Sequence, residues 1–451
     1  MLRFDLEWQD APGVRDPLLR ETWSRLEAVA SDAEGEACLT QCLDRKAGSL
    51  RRGVYGSTFP LARWVVENWW ALVSEGLRSE GAPGGRAPAS NPALREWLRR
   101  HNLLAARGGF ALPDLTLFRE GGFLALRSVP DPDDPASPYP IRFVADRGLR
   151  IPIDEAEVGL RNLVDAVAGR VADRAPDSGE ARSFLADWDA IRTAAGPERR
   201  LCEAAAAMGL DPYDPAEVDE GLEALLDGPL AKVAAGLADE LVRTTTPPSL
   251  ALDLAWIEAA KAAVQAGPSR GLSPIAGSPP GSEPAHVAGY RAADRLRAAL
   301  GVSDRLDDLE TIMAECCGWD ASPVVVPPRD GVASRIHGLV GFDPSGRRRL
   351  ATPGLATSSA SRRFLLARAL FLSVSETSQD EGLLTRSTSW LQRASRAFAA
   401  ELLAPADALA RRVTEGLTDE QVGALAEEFQ VSPVLIARQV ENHRLAVLID
   451  S

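Results

Sequence analysis

Metal-assisted and acid–base chemistry need histidines, cysteines and carboxylates at short, matched spacings. This chain of 451 residues offers few such groupings. Its four histidines, His101, His286, His337 and His443, stand far apart in sequence. His337 precedes Gly338 near the edge of an expected strand, where a satisfied structural histidine is the plainer reading. The five cysteines, Cys38, Cys42, Cys202, Cys316 and Cys317, are odd in number and irregular in spacing. Neither Cys38 with Cys42 nor Cys316 with Cys317 completes a zinc pattern, so free thiols are expected. Glu376, Asp380 and Glu381 fall in a polar stretch that reads as a solvated loop, and Arg347-Arg348-Arg349 reads as a solvated hairpin end. No phosphate-cradling Gly-x-x-x-x-Gly-Lys loop, Gly-x-Gly-x-x-Gly fingerprint or Gly-x-Ser-x-Gly elbow is present, which removes several enzyme classes.

One segment has the form of a nucleic-acid reader. Residues 417–444 read as helix, Val-Ser turn and second helix, and the second helix offers Arg438, Gln439, Asn442 and Arg444 as base readers. Against this, residues 401–451 carry nine acids and four arginines, which leaves little charge to grip phosphate. Packing within a domain core is the preferred reading of this pair.

These residues must be held by elements that the patterning outlines. Residues 2–8 read as a strand, and 18–30 carry helical spacing in Leu19, Trp23, Leu26 and Val29. A helix over 61–77 groups Trp64 and Trp69 with Leu61, Val65 and Leu72, and Trp70 adjoins them; core packing explains these tryptophans better than a ligand platform. Residues 115–118 and 123–128 read as a hairpin, and 141–153 as further strand. Asp154 and Glu157 have capping-box spacing ahead of a helix that should bury Val158, Leu163, Val164, Val167 and Val171. The pattern is then almost wholly helical to Ala266. Thirteen of the eighteen residues from 267 to 284 are Gly, Pro or Ser, which predicts a mobile linker. Beyond it the pattern gives two helices, short strands at 324–326, 336–342 and 348–350, a helix over 359–374, and a longer one over 389–413.

Two stretches in this last third carry a resemblance. Arg363-Phe364-Leu365-Leu366-Ala367 and Phe398-Ala399-Ala400-Glu401-Leu402-Leu403-Ala404-Pro405 are similar to the two signature runs of the ImmA/IrrE-type metallopeptidase family. The family places His-Glu-x-x-His directly after the first run, with two zinc ligands one helical turn apart and Glu as general base. Here those five positions read Arg368-Ala369-Leu370-Phe371-Leu372, and the family's third ligand falls on Gln392. The Ala-Asn before the second signature becomes Ser395-Arg396. The resemblance therefore implies a degenerate site formed by Arg368, Ala369, Leu372 and Gln392, with no zinc and no other cofactor. It also implies that Arg368 points at the former active site. There it would meet a carboxylate from residues 376–381 or from Glu401, or else hold an anion or the acidic end of a partner peptide.

The expected fold is α+β and predominantly helical: an α+β domain over 1–173, a helical domain over 174–266, the linker, and a pseudo-peptidase domain over 285–451. The 64 acidic and 50 basic residues give a net charge of −14, which disfavours broad binding to nucleic acid. Residues 1–10 carry charges where a signal peptide would be apolar, and no membrane-length apolar run exists, so the cytoplasm is the expected location. The expectation for function is a catalytically inactive regulatory or protein-binding module in stress response, mobile-element control or defence. The alternatives are a DNA-binding regulator using residues 417–444 and a metallopeptidase with an atypical metal set.

Overall fold

The computed structural model describes residues 1–32, 35–77, 91–134, 140–264, 283–328, 335–354, 356, 358–374 and 381–449. The chain is mixed α and β, with several small sheets, and divides into two compact units, Met1–Asp227 and Gly228–Ser451. The division falls inside the stretch expected to form a separate helical domain. Most of the expected linker at 267–284 lies outside the described residues.

The first unit opens with β1 (Leu2–Trp8), α1 (Pro17–Glu21), β2 (Trp23–Asp32), β3 (Gly35–Cys38), β4 (Cys42–Asp44), β5 (Ser49–Arg51) and β6 (Val54–Ser57). β2 pairs antiparallel with β1, β3 and β6, opposing Leu26 to Leu6. This corrects the helical reading of residues 18–30. Asp16 caps only one short helix, through the Leu19 amide at 3.1 Å. From Trp23 onward burial alternates with period two, and three partner strands override the helical spacing.

The next segment is two helices, α2 (Phe59–Glu67) and α3 (Trp69–Ser74), broken at Asn68, whose amide bonds back to the Trp64 carbonyl at 2.8 Å. Trp64, Trp69 and Trp70 are all buried in the core. After α4 (Pro92–His101), β7 (Asp114–Glu120) and β8 (Phe123–Val129) form the expected hairpin around Gly121-Gly122. β9 (Ile141–Phe143) joins β4, while β10 (Arg147–Pro152) joins β8.

α5 (Ile153–Arg174) starts at Pro152 with no side-chain cap; Glu157 pairs with Arg199 at 2.9 Å instead of closing a capping box. Val158 is 56% exposed, against expectation, because the buried stripe runs through Leu160, Leu163, Val164, Val167 and Val171. α6 (Gly179–Thr193), α7 (Gly196–Ala207) and α8 (Glu220–Asp227) complete the unit.

The second unit begins with α9 (Ala235–Val242) and α10 (Pro247–Ala263), followed by α11 (Ala285–Leu300) and α12 (Leu309–Cys316). β11 (Trp319–Val325), β12 (Ile336–Phe342) and β13 (Arg348–Thr352) lead to α13 (Ser359–Val374), β14 (Gly382–Thr385) and α14 (Trp390–Leu403). The sheet order is β11-β13-β12-β14, parallel between β11 and β13 and otherwise antiparallel. α13 and α14 pack on one another, and α11 lies along α14. α9 packs on β14, and α10 on β12 and β13.

The long helix expected over 389–413 is two. Pro405, with no N–H to donate, ends α14 and caps the short α15 (Ala406–Ala410). β15 (Gly416–Thr418), α16 (Asp419–Phe429), α17 (Pro433–His443) and β16 (Val447–Ile449) finish the chain, and β15 pairs with β16 in parallel. Arg348 is no solvated hairpin end: it is buried over the Phe342 ring, 4.5 Å from its centroid. Among the described residues, no helix is long and apolar enough to cross a membrane.

Candidate functional site

α13 carries Arg368, Ala369 and Leu372. Ser358 caps its first turn, its Oγ accepting from the Ser361 amide at 3.1 Å. Arg363 then anchors the helix by donating to the carbonyls of Leu306 and Asp307 at 2.7 and 2.9 Å. Five residues further on, Arg368 turns inward between β12, β14 and α14. Leu372, four residues later on the same face, reaches β14 at Gly382, where a Cβ would stand 2.9 Å from Leu372 Cδ1. Ala369 is wholly buried. Arg368, Ala369, Leu372 and Gln392 are thus all core positions.

Arg368 is 2% exposed, and its guanidinium is the hub of a hydrogen-bond network. Nε donates to Ser395 Oγ at 3.2 Å, and Nη1 contacts His337 Nδ1 at 3.0 Å. Nη2 donates to the Thr385 carbonyl at 3.0 Å and to Gln392 Oε1 at 2.7 Å. Gln392 also accepts from the Thr385 amide at 3.0 Å and donates to the Leu383 carbonyl at 2.7 Å, which ties α14 to β14.

The expected carboxylate partner of Arg368 is not among these contacts. All four partners are neutral groups. Glu401 is committed elsewhere, to the Ala406 amide at 2.9 Å and to Gln439 at 2.9 Å. Glu381 pairs with Lys261 of α10 at 2.8 Å, and residues 376–380 lie outside the described residues. Burial pushes the Arg368 guanidinium down to about 9, helped by the Arg396 charge and opposed by Glu240. It remains a cation at neutral pH.

Glu240, on α9, is the residue that the sequence left unmarked. Its Oε2 accepts from Ser387 Oγ at 3.1 Å and from Thr385 Oγ1 at 3.5 Å, and burial raises its carboxyl above the ordinary value. Thr385 therefore stands between the Glu240 carboxyl and the Arg368 guanidinium, offering its hydroxyl to one and its carbonyl to the other. Arg386 and Arg396 complete the surroundings: Arg386 Nε donates toward His337 Nε2 at 3.1 Å, and Arg396 donates to the Ser387 carbonyl at 3.1 Å. The only foreshadowing was the run of charges Asp239, Glu240 and Arg243 at the end of an otherwise apolar helix.

His337 is where the network fails to match. Guanidinium donors face both of its ring nitrogens. A neutral imidazole has one acceptor nitrogen, and the other carries a proton. Burial and the neighbouring Arg368, Arg386 and Arg396 push His337 down to about 4, so the ring is neutral at pH 7 and only one contact is a true hydrogen bond.

The proposed base readers are not presented together. Gln439 is 1% exposed and donates to Glu401 and to the Ala404 carbonyl at 3.0 Å, which removes it from any base-reading set. Asn442 hydrogen-bonds Tyr290. Arg438 is exposed beside Glu441 at 3.5 Å, and Arg444 takes the left-handed turn that ends α17. α16 and α17 bury Val422, Leu425, Phe429, Leu435, Ile436 and Val440 in the unit's own core. Cys38, Cys42, Cys202 and Cys317 are free thiols, and no cluster able to hold a metal ion occurs among the described residues.

No protein-family model matches this chain, and a search of curated proteins finds no match.

Proposed function

We propose that the unit Gly228–Ser451 is a catalytically inactive counterpart of the ImmA/IrrE-type peptidases and works as a regulatory, protein-binding module. The observation that carries this reading is the network around Arg368, which occupies the positions that the resemblance assigns to zinc. A zinc site needs three or four lone-pair donors aimed inward. Here the centre of the site is a guanidinium, which supplies only N–H groups and a fixed positive charge. Leu372 contributes hydrocarbon, and the carbonyl oxygen of Gln392 is taken by Arg368 and the Thr385 amide. Both ring nitrogens of His337 face guanidinium groups, which argues against an atypical metal set built on it. A cation is still present at the centre, but it is covalently part of the chain. Such a site holds architecture together, and it leaves recognition as the activity to be served.

The test is elemental analysis of the full chain after dialysis, together with an assay for cleavage of an unfolded protein substrate. We expect no stoichiometric zinc and no cleavage. About one zinc per chain, lost on His337→Ala, would overturn the reading. Use of residues 417–444 as a DNA reader is disfavoured by the burial of Gln439.

A further inference from the structure

We draw no further inference here: the strongest candidate, the side-chain cluster of Glu401 and His443 between α14 and α17, carries nothing because only the burial-raised carboxyl of Glu401 sets it apart, and its oxygens are already engaged by the Ala406 amide and the Gln439 side chain.

Discussion

His337 carries the clearest consequence of placing a histidine among arginines. Its folded value of about 4 lies below the ordinary 6.5. Between these values the unfolded chain takes up a proton that the folded chain refuses, so stability falls as pH drops from 6.5 to 4 and levels off below. The loss should be on the order of 2–3 kcal/mol, and His337→Gln should remove it; urea unfolding at several pH values measures both. Arg368→Ala should act at every pH. It strips the partner from Gln392, Ser395 and the Thr385 carbonyl, all buried, at a cost of about 2–4 kcal/mol. A fall in thermal midpoint of roughly 5–10 °C would follow for a unit of this size, and an unchanged midpoint would place Arg368 outside the core network. Sequence alone singled out Arg368 and Gln392 through the resemblance carried by residues 363–367 and 398–405. Of the carboxylates it offered to Arg368, Glu401 and Glu381 are engaged elsewhere, and residues 376–380 lie outside the described residues. Glu240 lies 128 residues before Arg368 (368 − 240) in a segment with no motif, and only the packing of α9 on β14 brings them near.

At the scale of elements, the close approach of α11 to α14 depends on one glycine. A Cβ at Gly289 would meet the Ala394 carbonyl oxygen at 2.4 Å and the Phe398 amide at 2.8 Å, and neither backbone atom can retreat without moving α14. Gly289→Ala should therefore destabilise by about 2–4 kcal/mol despite the better helix propensity of alanine. Gly423, inside α16, is the internal comparison, because nothing lies within 4 Å of its missing Cβ. Gly423→Ala should stabilise by about 0.5–1 kcal/mol. Equal effects at the two sites, measured by denaturant unfolding, would mean that the α11–α14 contact is looser than described. Elements with a local signal were legible: α13, β12 and the β7–β8 hairpin sit where periodicity and turn residues put them. β2 was not, since Trp23, Leu26 and Val29, at helical spacing with Leu19, also satisfy a strand once three neighbours supply its hydrogen bonds. The break at Pro405 was open to sequence reasoning, because proline inside a helical pattern ends it. α16 and α17 have the outline of a DNA reader, yet their burial into the core follows from which face is apolar. Duplex DNA should bind weakly and release at physiological salt, and Arg438→Ala should leave that binding unchanged. A sequence-specific footprint abolished by this substitution would reverse the conclusion.

For the whole molecule, the informative comparison is between the boundary that composition suggests and the one that contacts draw. The Gly-, Pro- and Ser-rich run at 267–284 is the strongest compositional break in the chain, and it places α9 and α10 with the helices before it. Contacts place them after it, within Gly228–Ser451. Composition reports how little a segment can bury; it says nothing of which core its flanking helices join. Here α9 and α10 bury Leu237, Leu241, Leu250, Leu254, Trp256 and Ile257. They also bring Glu240 to Ser387, Trp256 to Val326 and Lys261 to Glu381. Six large apolar side chains at about 1.5–3 kcal/mol each amount to roughly 10 kcal/mol of gross burial, which is comparable to the net stability of a domain. A fragment of residues 228–451 should therefore unfold in one cooperative transition. A fragment of residues 285–451, which keeps α13 and α14 but lacks the two helices, should lose several kcal/mol and expose the β12–β14 face that they cover. Denaturant unfolding and dye binding on the two fragments measure this. Equal stability would show that the helices are appendages. A large deficit in the shorter fragment would make α9 and α10 integral to the unit, because the apolar side chains they bury and the Trp256 and Lys261 contacts would then be part of one core with the sheet.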